Sequence, residues 1–218
     1  DGFRLAVIAL QYDGEGQALI DSGDLKGIAN ALRRAKRARI SFEPKPNAEV
    51  HDLILDTDLI RYKLSSVNGS FPDWEALMQN EVKTTCHFDT IEAVKAVNSF
   101  KALSDNPKDY PLDLTIGEGK IVMANPDEKG EAIIPADTDG QGSVRVEGRY
   151  LAEALKACGG MVDFKLVNAY SSMLFANDGY QVVVMPMMTP KATEAMEHDR
   201  PAKGDAPAKG HAEAEAVD

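Results

Sequence analysis

The feature that most constrains this chain is a module of strand, helix and three further strands that recurs along the sequence. Helices are predicted to start near residues 24, 89 and 148, and a strand at residues 3–9 precedes the first module. A half-buried helix and sheet need a second layer, so two modules are expected to build one domain. The last two modules would then form a complete domain, and the first would lack its partner.

The expected elements follow from apolar periodicity and turn signals. In the first module, a helix to residue 37 carries an apolar stripe and precedes strands at 40–42, 50–56 and 60–67. The second has a strand at 82–88, a helix capped by Asp89 or Thr90, and strands at 112–116, 120–124 and 131–135. The third has a strand at 144–146, a helix at 149–158, and strands at 161–167, 171–176 and 181–187. The predicted fold class is α+β.

Composition excludes several classes of protein. With 218 residues, 44% hydrophobic and 27% charged, the chain is expected to form one or two globular domains. The apolar runs are strand-sized, so no membrane partner is expected, and a cytoplasmic location is predicted. Cys86 and Cys158 lack a CxxC pattern or a Cys/His cluster, so neither a disulfide nor a metal site is expected, and no cofactor motif is present.

No catalytic constellation is recognisable, and the sequence predicts no enzyme. None of the four histidines, His51, His87, His198 and His211, lies in an HExxH motif or beside a nucleophile turn. The acid pairs Asp56/Asp58 and Asp137/Asp139 are interpreted as turn formers. Gly117-Glu118-Gly119 is expected to be a hairpin turn, because a phosphate cradle would need a helix after it.

The net charge of −11 would normally argue against a nucleic-acid partner, but the bases are not evenly spread. The first helix carries the one dense basic cluster, which includes Lys26, Arg33, Arg34 and Arg37. Such a run is usually a solvated helix face. Alternatively, it contacts DNA phosphates without reading bases, which would make binding independent of sequence and sensitive to salt.

Two distant stretches share one plan. Residues 178–188, with the sequence DGYQVVVMPMM, read as a buried strand that ends in Met-Pro-Met-Met, and residues 1–8, DGFRLAVI, repeat the Asp-Gly, aromatic and apolar order. Met around a Pro at a strand end is typical of a core strand, or of a groove that accepts apolar side chains of a partner.

These stretches, together with Phe71-Pro72-Asp73-Trp74, resemble in order and spacing the bacterial DNA polymerase III β subunit, the sliding clamp. The resemblance covers residues 1 to about 188. It implies a fold of repeated β-α-β-β-β half-domains, with helices lining one face and antiparallel sheets outside. Residues 1–74 would be the incomplete second half of the middle domain, 75–188 the third domain, and 189–218 a disordered acidic tail rich in Ala, Pro, Lys and Glu.

The resemblance also implies a processivity factor. Its full-length homodimeric ring would encircle duplex DNA without sequence specificity and dock polymerase and clamp-loader peptides. Carried over residue by residue, the peptide pocket between the middle and third domains would comprise Gly2, Phe3, Arg4, Leu5, Pro72, Leu77, Tyr150, Ser172, Val183, Val184, Met185, Pro186 and Met187. The DNA-facing residues would be Lys26, Arg33, Arg34 and Arg37.

Some positions depart from the family pattern. Phe3 stands where His is frequent, Ala76 where a base is common, Glu147 where Asn is found, and Met188-Thr189 replace a basic-Leu pair. These changes bear on peptide preference. The alternative function is a free-standing, clamp-like peptide-binding adapter that never closes a ring. A native reading frame with further modules upstream would favour the ring, and the chain is interpreted as a piece of a longer protein.

Overall fold

The computed structural model describes residues 2–46, 49–78, 81–127 and 130–199. These residues divide into two compact units. The small unit spans residues 8–78, and the large unit combines the described residues of 1–7 and 79–218. The predicted domain boundary after residue 74 falls just before the observed division. Residues 2–7, which the sequence predicts as part of the incomplete domain, belong to the large unit because their strand joins its sheet.

The large unit contains two sheets and the helices packed with them. Strands β1 (Arg4–Ile8), β5 (Thr84–Asp89), β9 (Asp137–Asp139), β11 (Met161–Leu166), β12 (Met173–Asn177) and β13 (Tyr180–Val184) form one sheet in the order β1-β13-β12-β11-β5-β9. Strands β6 (Pro111–Gly117), β7 (Lys120–Ala124), β8 (Glu131–Pro135) and β10 (Gly142–Glu147) form the other, in the order β10-β6-β7-β8.

Helices α2 (Thr90–Leu103) and α3 (Gly148–Cys158) contact each other and share a core with both sheets. Each begins at an acidic N-cap. The Asp89 side chain accepts a hydrogen bond from Ile91 N at 2.7 Å, and Glu147 accepts one from Arg149 N at 3.0 Å. At Gly148 a Cβ would lie 2.2 Å from the Tyr110 ring, so the start of α3 tolerates no side chain there.

The small unit consists of α1 (Ser22–Leu32) and a three-stranded antiparallel sheet of β2 (Ala38–Pro44), β3 (His51–Thr57) and β4 (Arg61–Leu64), followed by a 3₁₀ turn at Glu75–Leu77. Its core is small, since its cluster of buried apolar residues is Ile28, Leu55 and Leu64, with five partly buried side chains packed against it. By contrast, Leu59 and Leu10 are 93% and 66% exposed.

An ion-pair network holds one side of the small sheet. Lys45 Nζ lies 3.0 Å from Asp52 Oδ1, and Lys63 Nζ lies 3.3 Å from Asp52 Oδ2 and 3.0 Å from Glu43. The Lys45 ammonium group is the main cause that lowers the pKa of Asp52. The pKa of Lys63 is raised, chiefly by its hydrogen bond to Glu43 and then by the one to Asp52.

The predicted α+β class and the order of elements in the modules are confirmed, but three details are wrong. Helix α1 ends at Leu32 rather than near residue 37, because Arg34 N and Ala35 N donate to carbonyls three residues back instead of four, which tightens the chain after the helix. The acids Asp137 and Asp139 lie in strand β9, paired antiparallel with β5, and not on either side of a turn. The Gly117-Glu118-Gly119 turn does join β6 to β7, with Glu118 at φ 54°.

The third correction concerns the tail. Its first part is helical, since α4 spans Pro190–His198 with Thr189 as N-cap, whose Oγ1 accepts a hydrogen bond from Ala192 N at 3.1 Å. Ala192 is buried, and Tyr170 Oη donates to Asp199 Oδ2 at 2.7 Å just past the helix end. A buried residue and this bond fix the segment. The rest of the predicted disordered tail, residues 200–218, lies outside the described residues.

Candidate peptide-binding site

The two stretches that share a plan meet in the large unit. Strand β1 is the neighbour of β13, and Met185 N donates a hydrogen bond to the Phe3 carbonyl at 2.8 Å. This bond continues the strand pairing one residue past the end of β13. It places Phe3, which is 53% exposed, beside the start of the Met-Pro-Met segment.

Tyr150 is the centre of the site. Its ring stacks on Phe3 with centroids 5.9 Å apart and an interplanar angle of 24°. The guanidinium carbon of Arg4 lies 4.4 Å from the ring centroid, and that of Arg149 lies 5.0 Å from it. These distances are in the range of cation–π contacts, so the ring is held by an aromatic and two cationic groups. The result is a half-exposed aromatic platform at the first turn of α3.

The charges on this platform come from three side chains of the large unit. Arg4 forms a salt bridge with Glu153, which lies on α3 one turn after Tyr150. Arg149 is exposed, and its backbone is held by the bond to Glu147. Arg149 and Glu153 were missed as site residues in the sequence. For Glu153 the available signal was its position three residues after Tyr150 in a predicted helix, because residues three apart share a helix face.

Glu147 occupies the position where the family pattern has Asn. The side chain is buried, and its Oε1 accepts hydrogen bonds from Arg149 N and from Tyr110 N, at 3.0 and 3.4 Å. Burial raises the pKa of Tyr110, and the nearby Glu147 charge adds to the effect. Glu147 therefore acts on the site through the start of α3.

The Met-Pro-Met segment is fixed at its far end too. Met187 N donates to the Arg145 carbonyl at 2.8 Å. The Arg145 guanidinium in turn makes two parallel hydrogen bonds to Asp113, Nε to Oδ1 at 2.6 Å and Nη2 to Oδ2 at 2.7 Å. This bidentate pair raises the pKa of Arg145. A main-chain hydrogen bond thus holds each end of residues 185–187, which are all partly exposed.

The other predicted pocket residues divide by burial and by unit. Val183, Val184 and Ser172 are buried in the large unit, so they support the surface from below rather than line it. Gly2 is exposed and Leu5 partly exposed on the same unit. Pro72 and Leu77 belong to the small unit. There, Pro72 lines a groove of about 740 Å³ whose walls include Leu25, Leu53, Phe71 and Trp74.

The four predicted DNA-facing residues are all exposed on the small unit. Only Lys26 lies within α1, because Arg33 is its C-cap and Arg34 and Arg37 follow it. Within the described ranges, none of the four forms an ion pair. Lys26 and Arg33 are seven residues apart, so they lie on one face, about 10 Å apart along the axis.

The described part of the chain has no group of three or more His, Cys, Asp or Glu side chains placed to hold a metal ion. No helix in that part is long and apolar enough to cross a membrane. The thiols do not form a reactive centre either, since burial raises the pKa of Cys86 to about 12 and also raises that of Cys158.

Solved structures share this architecture. The chain superposes on a DNA polymerase sliding clamp from Pseudomonas aeruginosa with a TM-score of 0.73 and 23% identity, covering 87% of this chain and 54% of that one. For Caulobacter crescentus pol III beta the TM-score is 0.72 with 19% identity, over 87% and 53% of the two chains. For the Bacillus subtilis sliding clamp it is 0.72 with 18% identity, over 87% and 52%.

No protein-family model and no curated protein sequence matches the chain. It spans about half the length of the solved clamps that it matches. At these identities, the likeness establishes the fold. This chain has the fold of the bacterial DNA polymerase III β sliding clamp, over about half of that protein's length.

Proposed function

We propose that this chain is part of a DNA polymerase processivity factor, a ring that encircles duplex DNA and docks polymerase and clamp-loader peptides on an apolar site. The observation that carries the proposal is the fold, which matches about half of each sliding clamp with TM-scores of 0.72 to 0.73. A ring of this kind needs no catalytic group, so the proposed role is binding alone. The homodimeric state belongs to the full-length ring.

The docking part of the proposal is supported by the platform on the large unit. Tyr150 and Phe3 offer exposed aromatic surface, and the partly exposed segment of residues 185–187, with its flexible and polarizable Met side chains, begins at the hydrogen bond to Phe3. Main-chain bonds at both ends of residues 185–187 limit the ordering that a ligand must impose. Such a surface suits an extended peptide that carries apolar or aromatic anchors.

The DNA part is supported by the exposed bases on the small unit. Lys26, Arg33, Arg34 and Arg37 lie outside any ion pair in the described ranges, although the chain as a whole carries −11. Phosphate contacts of this type would be weak, independent of sequence and lost as salt rises. A sliding ring benefits from such contacts, because base-specific bonds would create positions at which it stops.

A ring and an adapter are distinguished by topology. The protein with its native flanking sequence is loaded onto nicked circular DNA, and retention is measured by gel filtration before and after the circle is cut. A ring is retained on the circle and slides off the linear product. Equal retention on both forms would refute encirclement.

The peptide-binding adapter remains the second candidate, and the charges of the large unit favour it. Lys95 on α2 is paired with Glu92 at 2.8 Å, and Arg4 is paired with Glu153. These pairs reduce the positive charge that the large unit could offer to DNA. The adapter would bind peptide normally and show no difference between circular and linear DNA.

A further inference from the structure

The two guanidinium groups beside the Tyr150 ring differ in their ion pairing. Of the two guanidinium groups on the ring, that of Arg4 is engaged by Glu153. Arg149 forms no ion pair with any residue in the described ranges, and its side chain is exposed. The nearby Glu147 carboxylate is buried and accepts from the backbone N–H of Arg149. One cation at the edge of the aromatic platform is therefore open to a ligand.

We propose that Arg149 makes this site selective for peptides that carry a carboxylate next to the apolar or aromatic side chain resting on Phe3 and Tyr150. The inference rests on the proposed peptide-binding function and names the ligand class for it. A guanidinium binds a carboxylate through two parallel hydrogen bonds, which a lysine cannot reproduce. Arg149 is thus a specificity residue beside the apolar anchor.

The position of Arg149 favours this contact for two reasons. Its guanidinium already lies over the Tyr150 ring, 5.0 Å from the centroid, so less side-chain freedom is lost when a carboxylate binds. Arg149 is also the second residue of the eleven-residue helix α3. The positive end of the helix dipole adds to the attraction for an anion at this point.

A peptide explains the surroundings better than DNA does. The Arg149 guanidinium and the exposed Phe3 ring both contact the Tyr150 ring, and the Phe3 carbonyl accepts a hydrogen bond from Met185 N. Apolar surface of this kind matches an apolar anchor with one adjacent acid, whereas a phosphate backbone would leave it unused. DNA binding by Arg149 is accordingly an outcome that the test must detect.

The test uses two fluorescent peptides that differ at one position, Glu or Gln, next to a Phe in an otherwise apolar extended sequence. For the unchanged chain, the Glu peptide is expected to bind about three- to fivefold more tightly, as one partly exposed charge pair provides. Arg149→Gln should weaken binding of the Glu peptide more than binding of the Gln peptide, so that the preference disappears. Lys156→Gln removes the same charge from the same helix and should leave the preference intact.

A second variant tests the same reasoning in the opposite direction. Glu153→Gln removes a carboxylate that would repel an acidic ligand at the platform, so the preference for the Glu peptide should increase. Equal binding of both peptides by the unchanged chain would overturn the inference and leave the proposed peptide site standing, whereas binding of neither would overturn the proposed site itself. An equal loss for both peptides in Arg149→Gln would assign Arg149 to packing on Tyr150. If Arg149→Gln instead lost duplex DNA binding and kept the peptide preference, Arg149 would be a DNA-contacting residue. Either of these two outcomes for Arg149→Gln would refute the inference.

Discussion

The two units are expected to unfold separately, and the small unit should unfold first. Its buried apolar cluster is Ile28, Leu55 and Leu64, whereas the large unit buries a continuous core shared by two sheets and two helices. A core as small as that of the small unit rarely supplies more than about 3–5 kcal/mol. The perturbation that tests this is Leu55→Ala.

The expected magnitude follows from the size of the small unit. Truncating a buried Leu costs about 2–3 kcal/mol at the lower end of the measured range, which fits a site open enough to relax. The unit has about 70 residues, so its unfolding entropy is about 0.15 kcal/mol/K. The midpoint of the small unit should therefore fall by about 15 °C, which leaves about 0–3 kcal/mol of its stability.

The assay uses the one tryptophan of the chain, Trp74, which lies in the small unit and is partly buried. Its fluorescence reports that unit alone, while far-UV circular dichroism reports both. Leu55→Ala should shift the fluorescence transition and leave the upper dichroism transition in place. Leu114→Ala, in the core of the large unit, is the matched control and should shift only the upper transition. Coincident transitions that move together in both variants would refute the reasoning.

Three further predictions concern charge, thiols and association. The pKa of Asp52 is lowered from 3.8, so the ionised carboxylate stabilises the small unit above that pH, and this stabilisation is lost as the pH falls through the folded-state pKa. Asp52→Asn should make the stability of the small unit less dependent on acid pH, as followed by Trp fluorescence. Iodoacetamide at pH 8 should label Cys158 in the native chain and spare Cys86 until unfolding, as read by mass spectrometry of digests; labelling of both at one rate would contradict the burial argument. The exposed apolar surface of the small unit should make the chain self-associate, and Leu59→Lys should lower the mass measured by light scattering; an unchanged monomer in both forms would contradict this.

The regular parts of the large unit were predictable because local and tertiary preferences agree there. Strands β7 and β8 have the predicted bounds, and α3 begins one residue before the predicted start. In these segments the apolar positions alternate or recur with the period of the element, and the burial pattern follows them. Recurrence of the module could then be recognised without a structure.

The wrong predictions have a different origin. Strand β9 consists of Asp-Thr-Asp, residues that disfavour strands, and it forms only because the edge of β5 offers backbone partners. Helix α4 begins with Thr189 and Pro190, a recognisable start signal that the low-complexity composition of the tail obscured. Within the site, Tyr150 was found through the resemblance. Arg149 was not, because its role depends on contacts across a fold that no local pattern encodes.

The hydrogen bond between Met185 and the Phe3 carbonyl joins two parts of the chain that are far apart in sequence. The aromatic platform exists only while β1 is paired with β13. A ligand that contacts Phe3 therefore stabilises the paired state relative to a state in which β1 has detached. By linkage, saturating peptide should slow deuterium uptake along residues 4–8. A substitution that weakens the pairing of that strand should lower the affinity for the peptide, and the coupling free energy is the same in both directions. Protection of the first strand from exchange therefore reports whether peptide is bound, although most residues of the site lie in other elements.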